Sequence, residues 1–456
     1  MTDYELFLKE NKGYIKKQAK LTEKSDLINN ALYEKYDVKR GLRDINGNGV
    51  VCGLTEISEI NAFRRNEKGE KVPCDGEMYY RGIEINSLID GFQRENRFGF
   101  EEVCYLLLFG KQPTIDELAK FNEVLNGLRS LPKNFVRDVI MKAPSTDMMN
   151  MLARSVLTIY SYDENPDDIT LPNILRQVIG LLAQFPPMAV YGYNAFKYYK
   201  GGESLHIHKP LENYSTAQNI LHMLRADSSF TELEAKILDL CLILHAEHGG
   251  GNNSSFAMRV ISSSGTDTYS AVSASLASLK GGRHGGANVK VVKMIADMKA
   301  NIKTASDGDI SDYIDKLLDG EAFDKLGVVY GMGHAVYSVS DPRAVILKKF
   351  VKDLAISKGK EEEFDFYQKV ERIAPEVIAE KRKIYKGVPI NVDFYSGLVY
   401  QLLGIPQELY TPLFAISRMA GWGSHRLEEM ANKGKIIRPA YIAVGKRQEY
   451  TPINER

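Results

Sequence analysis

Residues 148–160 read MMNMLARSVLTIY. Apolar side chains at Met148, Met151, Leu152, Val156 and Ile159 recur at three- and four-residue intervals, the spacing that gathers them on one face of a helix. The pattern spreads outward from there. Phe100 to Phe109, FEEVCYLLLF, and the run LEAKILDLCLIL at 233–244 read as strongly apolar helices. Residues 270–279, SAVSASLASL, are rich in Ala and Ser and let a second helix approach closely. Alternating patterns are scarce. Short strand pairings are expected near Val50–Leu54 and Tyr79–Ile85 only, and no strand–GxGxxG–helix unit occurs. Residues 1 to about 45 are charged and lysine-rich, helical in pieces and peripheral. The expected fold class is all-α.

At 456 residues the chain exceeds one compact core and should divide into domains. Fifty-nine basic residues balance fifty-nine acidic ones, without the basic excess of a typical nucleic-acid binder. No apolar run approaches the ~20 residues that span a bilayer. The first twenty residues, MTDYELFLKENKGYIKKQAK, show no apolar signal core, so no targeting peptide is expected. Cys52, Cys74, Cys104 and Cys241 form no C-x-x-C pair and read as reduced thiols of a cytoplasmic protein.

Four of the eight histidines lie in three glycine-flanked stretches: HAEHGGGNNSS (His245, His248), GGRHGGAN (His284) and YGMGHAVYSVSDPR (His334). His206, His208, His222 and His425 stand in ordinary surroundings and read as surface or core-polar residues. His245 and His248, spaced i, i+3, would share a helix face with Cys241 one turn earlier. Yet HAEH lacks the order of a zinc protease motif, and Cys241 in LDLCLIL reads as a core thiol, so no metal site is expected. Neither a G-x-S-x-G elbow nor a glycine-framed Cys is present, which argues against covalent catalysis.

Acid–base chemistry on a small carboxylated substrate fits better. It needs histidines near neutrality, a carboxylate base and arginines that grip carboxylates in bidentate fashion. Asp393, in INVDFYSG, is a lone acid in an apolar and aromatic setting that raises its pKa towards that of a useful base. Arg343 follows Asp341-Pro342, Arg418 lies in the helix-like run FAISRMAGWG where a buried charge needs a partner, and Arg438 precedes Pro439.

Taken together, HAEHGGGNNSS, LKGGRHGGAN, YGMGHAVYSVSDPR, NVDFYSG and FAISRMAGW resemble the active-site stretches of the citrate synthase family, si-type, in that family's order. YYRGIEINSLI and FEEVCYLLLFGKQPTIDEL resemble its N-terminal half, so the similarity runs from about Tyr79 to Tyr441. The resemblance implies an all-α homodimer. A large domain (residues 1–284) would be joined by a small domain (285–398) that closes over the substrate, and residues 399–456 would return to the large domain. It implies an acyltransferase that condenses acetyl-CoA with oxaloacetate and hydrolyses the citryl thioester to citrate and CoA, with no permanently bound cofactor.

By the same resemblance Asp393 is the base, His284 bonds the thioester oxygen, and His334 polarises the oxaloacetate carbonyl. His248, Arg343 and Arg418 hold the oxaloacetate carboxylates, joined by Arg438 from the partner subunit. Tyr330, Gly331, Met332 and Gly333 resemble the loop around the adenine of CoA. One departure stands out: residues 335–340 carry no basic side chain to meet a CoA phosphate. Arg283, Lys290, Lys293 and Lys348 are the substitutes considered. The alternatives are a 2-methylcitrate synthase acting on propionyl-CoA with the same residues, and a non-catalytic homologue that binds CoA or a dicarboxylate.

Overall fold

The computed structural model describes residues 3–44, 49–282, 284–383 and 387–456. The chain forms two compact units, residues 1–54 and 55–456. The first holds helices Asp3–Glu10, Lys12–Asp26 and Ala31–Lys35, the helical pieces expected of the lysine-rich segment.

The second unit is a helical assembly with one small antiparallel sheet. Strands β1 (Ser58–Arg65), β2 (Lys71–Tyr80) and β3 (Ile83–Glu84) pair in sequence order. The pairing expected near Tyr79–Ile85 is therefore present as the β2–β3 turn. No strand forms at Val50–Leu54: Val51 and Leu54 are almost fully exposed, so nothing there rewards an extended edge.

The anticipated helices appear as Phe100–Phe109, Met148–Ile159, Glu232–His245 and Thr268–Lys280. The Ala/Ser-rich helix Thr268–Lys280 packs against helices Asn253–Ser262 and Met148–Ile159, the close neighbours its small residues allow. At the centre runs helix Tyr410–Ala431, with Tyr410 and Pro412 through Arg426 buried. It touches helices Leu171–Gly201, Asn253–Ser262, Phe100–Phe109 and Glu232–His245. A Cβ at Gly423 would collide with Val178, and one at Gly421 with the Ala246 carbonyl and the Glu247 carboxylate. Glycine is what lets this helix sink between its neighbours. Each fully buried Leu or Phe along it contributes roughly 1.5–3 kcal/mol.

Helices Ala287–Asn301, Asp307–Leu318, Pro342–Ser357, Glu361–Arg382 and Val392–Leu402 pack extensively on one another. No helix among the described residues is long and apolar enough to cross a membrane.

Candidate active site

The candidate residues come from element ends. Helix Glu232–His245 begins at a capping box, in which Thr231 and Glu234 satisfy each other's backbone donors, and it stops at His245. His248 is therefore beyond the helix, and the expected helix face shared by Cys241, His245 and His248 does not exist. His245 Nδ1 instead bonds the Cys241 carbonyl at 2.8 Å, and Cys241 is a buried free thiol. Among the described residues no group of His, Cys, Asp and Glu is placed to hold a metal ion.

Arg343 sits in the first turn of helix Pro342–Ser357. Asp341 caps that helix, accepting from the Arg343 backbone at 3.0 Å, and Pro342 supplies the preset first position. The same carboxylate grips the Arg343 guanidinium in a fork, Nε at 3.0 Å and Nη2 at 2.8 Å. Burial works against the charge on Asp341, but the adjacent Arg343 outweighs it and holds the carboxyl below its usual value. Asp393 occupies the first turn of helix Val392–Leu402, where Asn391 Oδ1 caps its backbone N–H at 3.1 Å. Burial raises its pKa from 3.8 to about 6 although Arg343 pulls the other way.

The loop before Arg343 is clamped to the segment before Asp393. Gly331 and Gly333 adopt φ of +80° and +79°, the left-handed region glycine tolerates. Gly333 N donates to Pro389 O at 2.7 Å, Asn391 N to Gly331 O at 2.9 Å, and Asn391 Nδ2 to Gly333 O at 2.9 Å. A Cβ on Gly331 would meet Val291 at 2.8 Å and Phe394 at 2.9 Å. The Tyr330 hydroxyl donates to Asp324 at 2.7 Å.

His334 follows that loop. Its Nδ1 accepts the backbone N–H groups of Val336 (3.0 Å) and Tyr337 (3.1 Å), which leaves the proton of the neutral ring on Nε2. Tyr337 stacks on the ring at 4.6 Å, and His248 meets it edge-on at 5.1 Å. Arg343 Nη2 lies 3.5 Å from His334 Nε2. The His248 pKa is driven far down by burial, then by the charges of Arg343, His334 and Arg418, and its buried Nε2 has no hydrogen-bond partner.

Arg418, buried in the central helix, donates from Nε to His245 O at 2.7 Å, and its ring neighbour is Phe414. Its Nη2 is buried without a partner. Burial lowers its pKa to about 10, with Glu247 opposing most strongly. Its field reaches His284, which burial first and Arg418 second lower to about 4. His284 Nε2 is 3.0 Å from Ser254 Oγ, which also accepts from Trp422 Nε1 at 3.2 Å and lies 3.0 Å from Asn252 Oδ1.

His248, His284, His334, Arg343, Asp393 and Arg418 are thus joined by contact or mutual field into one site. Two buried nitrogens, His248 Nε2 and Arg418 Nη2, lack protein partners there. That cluster of neutral imidazoles, cations and one weakened carboxylate suits an anionic, oxygen-rich substrate. Arg438 is exposed beyond the central helix and takes no part in these contacts. Of the residues considered for a CoA phosphate, Lys290 is tied to Asp324 at 2.8 Å and Lys348 to Glu371 at 2.7 Å. Lys293 is exposed, and Arg283 is outside the described residues.

A family model described as "Citrate synthase, C-terminal domain" matches residues 45–440. This chain belongs to the citrate synthase family. It is 35% identical to the citrate synthase of Synechocystis sp. over 84% of this chain and 89% of that one. It is 32% identical to 2-methylcitrate synthase 1 of Corynebacterium glutamicum over 92% and 98%. The solved citrate synthase of Thermoplasma acidophilum, a ternary complex with carboxymethyl coenzyme A and oxaloacetate, superposes with a TM-score of 0.74. It is 26% identical, covering 92% of this chain and 99% of that one. The expected citrate synthase-family enzyme of mainly helical fold is borne out.

Ser254, Trp422, Glu247 and His425 were not singled out from sequence. Ser254 stands in HAEHGGGNNSS and Trp422 in FAISRMAGW, so their motifs were read but their partners were not. His425, which the sequence reads as surface or core-polar, is wholly buried and bonds Glu247 at 2.9 Å, the core-polar case.

Proposed function

We propose that the protein condenses acetyl-CoA with oxaloacetate and hydrolyses the resulting thioester to citrate and CoA. The observation that carries this reading is the pair of partnerless buried nitrogens, His248 Nε2 and the donor Arg418 Nη2, beside His334 Nε2–H and the Arg343 fork. Leaving a buried donor such as Arg418 Nη2 unpaired costs roughly 1–3 kcal/mol, a cost that a carboxylate oxygen of a bound dicarboxylate would offset.

Asp393 takes a proton from the methyl group of the thioester. That proton is very weakly acidic, and the base succeeds because a donor awaits the developing enolate oxygen. His284 supplies it: when the Ser254 hydroxyl leaves Asn252 Oδ1, to which it donates at 3.0 Å, and turns to Nε2, the neutral ring presents Nδ1–H. One such donor contributes roughly 3–4 kcal/mol. The nucleophilic carbon then attacks the oxaloacetate carbonyl while His334 Nε2–H delivers a proton to the new alkoxide. Arg343, Arg418 and His248 hold the carboxylates, with the partner subunit's Arg438 completing the grip in a homodimer.

Domain closure belongs to the same reading. Residues 285–398 form a small domain, supported by the mutual packing of the helices between 287 and 402, and it moves against residues 1–284 and 399–456 to exclude water. Residues 330–333 hold the adenine of CoA, supported by their two left-handed glycines. The cytoplasmic assignment draws support from four free thiols.

Propionyl-CoA is the competing substrate, since one relative is a 2-methylcitrate synthase and one methylene discriminates by only roughly 1–3 kcal/mol. Release of free thiol with each thioester and oxaloacetate decides it. A higher kcat/KM on acetyl-CoA is expected; the reverse order overturns the choice, and no thiol release overturns the enzyme reading.

A further inference from the structure

Glu247 lies between two histidines of the site and takes no part in the chemistry above. It is completely buried, and its backbone is clamped by Tyr80 of β2. The Tyr80 hydroxyl accepts from Glu247 N at 3.2 Å and lies 3.1 Å from Glu247 O. Its carboxylate is anchored through one oxygen only: Oε1 accepts from Ser58 of β1 at 3.0 Å and from His425 Nε2 at 2.9 Å. The other oxygen, Oε2, is buried with no partner and presses on helix Tyr410–Ala431 at Gly421, one turn beyond Arg418.

His425 is itself fixed from behind. Arg259 Nη2 lies 2.8 Å from His425 Nδ1 and pairs with Glu428, while Nη1 reaches Glu429 at 3.4 Å. Arg259 donates to Nδ1, so Nε2 is the nitrogen that donates to Glu247. Glu428 in turn accepts from the Glu56 backbone at 2.7 Å. A line of hydrogen bonds and ion pairs thus runs from Glu428 through Arg259 and the ring of His425 to Glu247. It ends beside a guanidinium that has one hydrogen bond, to a carbonyl, and no carboxylate in contact.

We propose that Glu247 is a positioning residue, the fixed counter-charge that keeps the Arg418 guanidinium oriented with Nη2 directed to a substrate carboxylate. The inference rests on the reading of Arg418 as a carboxylate-binding residue. The charges acting on Arg418 are those of Glu247, Tyr80, Arg343 and Asp393; Glu247 is acted on by His425, Arg418 and Ser58. The 245–247 segment meets the Arg418 helix where Arg418 Nε donates to His245 O and Gly421 N to Ala246 O. Burial alone would raise Glu247, but His425 and Arg418 outweigh it and bring the carboxyl down to about 2. The anion is permanent in the working pH range. Standing off from Arg418 serves a purpose: a direct fork, like that of Asp341 on Nε and Nη2 of Arg343, which leaves that residue Nη1 for a substrate, would occupy the Nη2 that Arg418 offers.

The test is the pH dependence of oxaloacetate affinity, measured by calorimetry from pH 7 to 10 on wild type, Glu247→Gln and Arg418→Ala. The amide keeps the shape and the Ser58 contact but removes the charge. Wild type should lose affinity only as Arg418 deprotonates, near its value of about 10. Glu247→Gln should bring that alkaline midpoint down by about one unit or more, because the strongest opposing charge is gone. An unchanged midpoint overturns the inference. Arg418→Ala should bind weakly at every pH; normal binding by that variant would instead overturn the site reading beneath it. If Glu247→Gln does not fold, Glu247→Asp decides: drawing the anion back by one methylene should lower the midpoint in the same direction by a smaller amount, and no movement refutes the role.

Discussion

Replacing Asp393 by Asn should make the protein more stable while removing its activity. Asp393 goes from 3.8 to about 6 on folding, because the ionised carboxylate is buried and Arg343 does not fully compensate. Each pH unit of displacement is worth about 1.4 kcal/mol, so ionised Asp393 costs the native state about 3 kcal/mol at pH 8. Its partial exposure lets solvent reduce that figure, and about 1–3 kcal/mol is the expected gain for Asp393→Asn.

The sign follows from the raised folded pKa. Below pH 3.8 the carboxyl is neutral in both states and costs nothing. Between 3.8 and about 6 the unfolded chain ionises first, so native stability falls as pH rises; above about 6 the cost is constant. Urea unfolding of both proteins at pH 8 and pH 5 measures the difference, which should fall to roughly half at pH 5. Thiol release should drop by several orders of magnitude in the same variant, since no other carboxylate replaces the base. A variant no more stable than wild type at pH 8, or one with an identical advantage at both pH values, would refute the claim that burial of this charge sets its basicity.

Three further outcomes are expected. The kcat/KM of wild type should fall with unit slope below about pH 6, as Asp393 takes up its proton; a profile flat to pH 4.5 excludes it as the base. Ser254→Ala removes the partner of His284 Nε2 and should lower kcat by about tenfold, the worth of one hydrogen bond, with oxaloacetate affinity nearly intact. A change confined to oxaloacetate binding would contradict that placement. Gly331→Ala forces a Cβ into Val291 and Phe394 at φ +80° and should cost about 2–4 kcal/mol of stability; differential scanning calorimetry showing an unchanged transition would mean the loop yields freely.

Local patterning was legible wherever one physical rule acted alone. The three- and four-residue spacing at 148–160 marked helix Met148–Ile159, and FEEVCYLLLF coincided with helix Phe100–Phe109. The sheet was harder. Strand β1 at Ser58–Arg65 went unseen because SEINAFRR alternates weakly, and its partner in β2 lies beyond a turn at 66–70. The stretch Val50–Leu54, apolar but exposed, shows that residue type without a buried face makes no strand.

The chemistry divides along the same line. Residue types and their order singled out the glycine-framed histidines His245, His248, His284 and His334, the arginines Arg343, Arg418 and Arg438 and the lone apolar-flanked Asp393, and the resemblance to the family gave all of these but His245 a role. Their strengths are not local. Asp393 reaches a pKa of about 6 only through burial at a helix start, and His334 keeps its proton on Nε2 only because two backbone donors converge on Nδ1. The line from Glu428 to Glu247 joins residues 56, 58, 247, 259, 425 and 428. No spacing rule connects positions so far apart in the chain. Sequence determined which groups are present, and tertiary packing decided which charges face one another in the low dielectric that sets their pKa values.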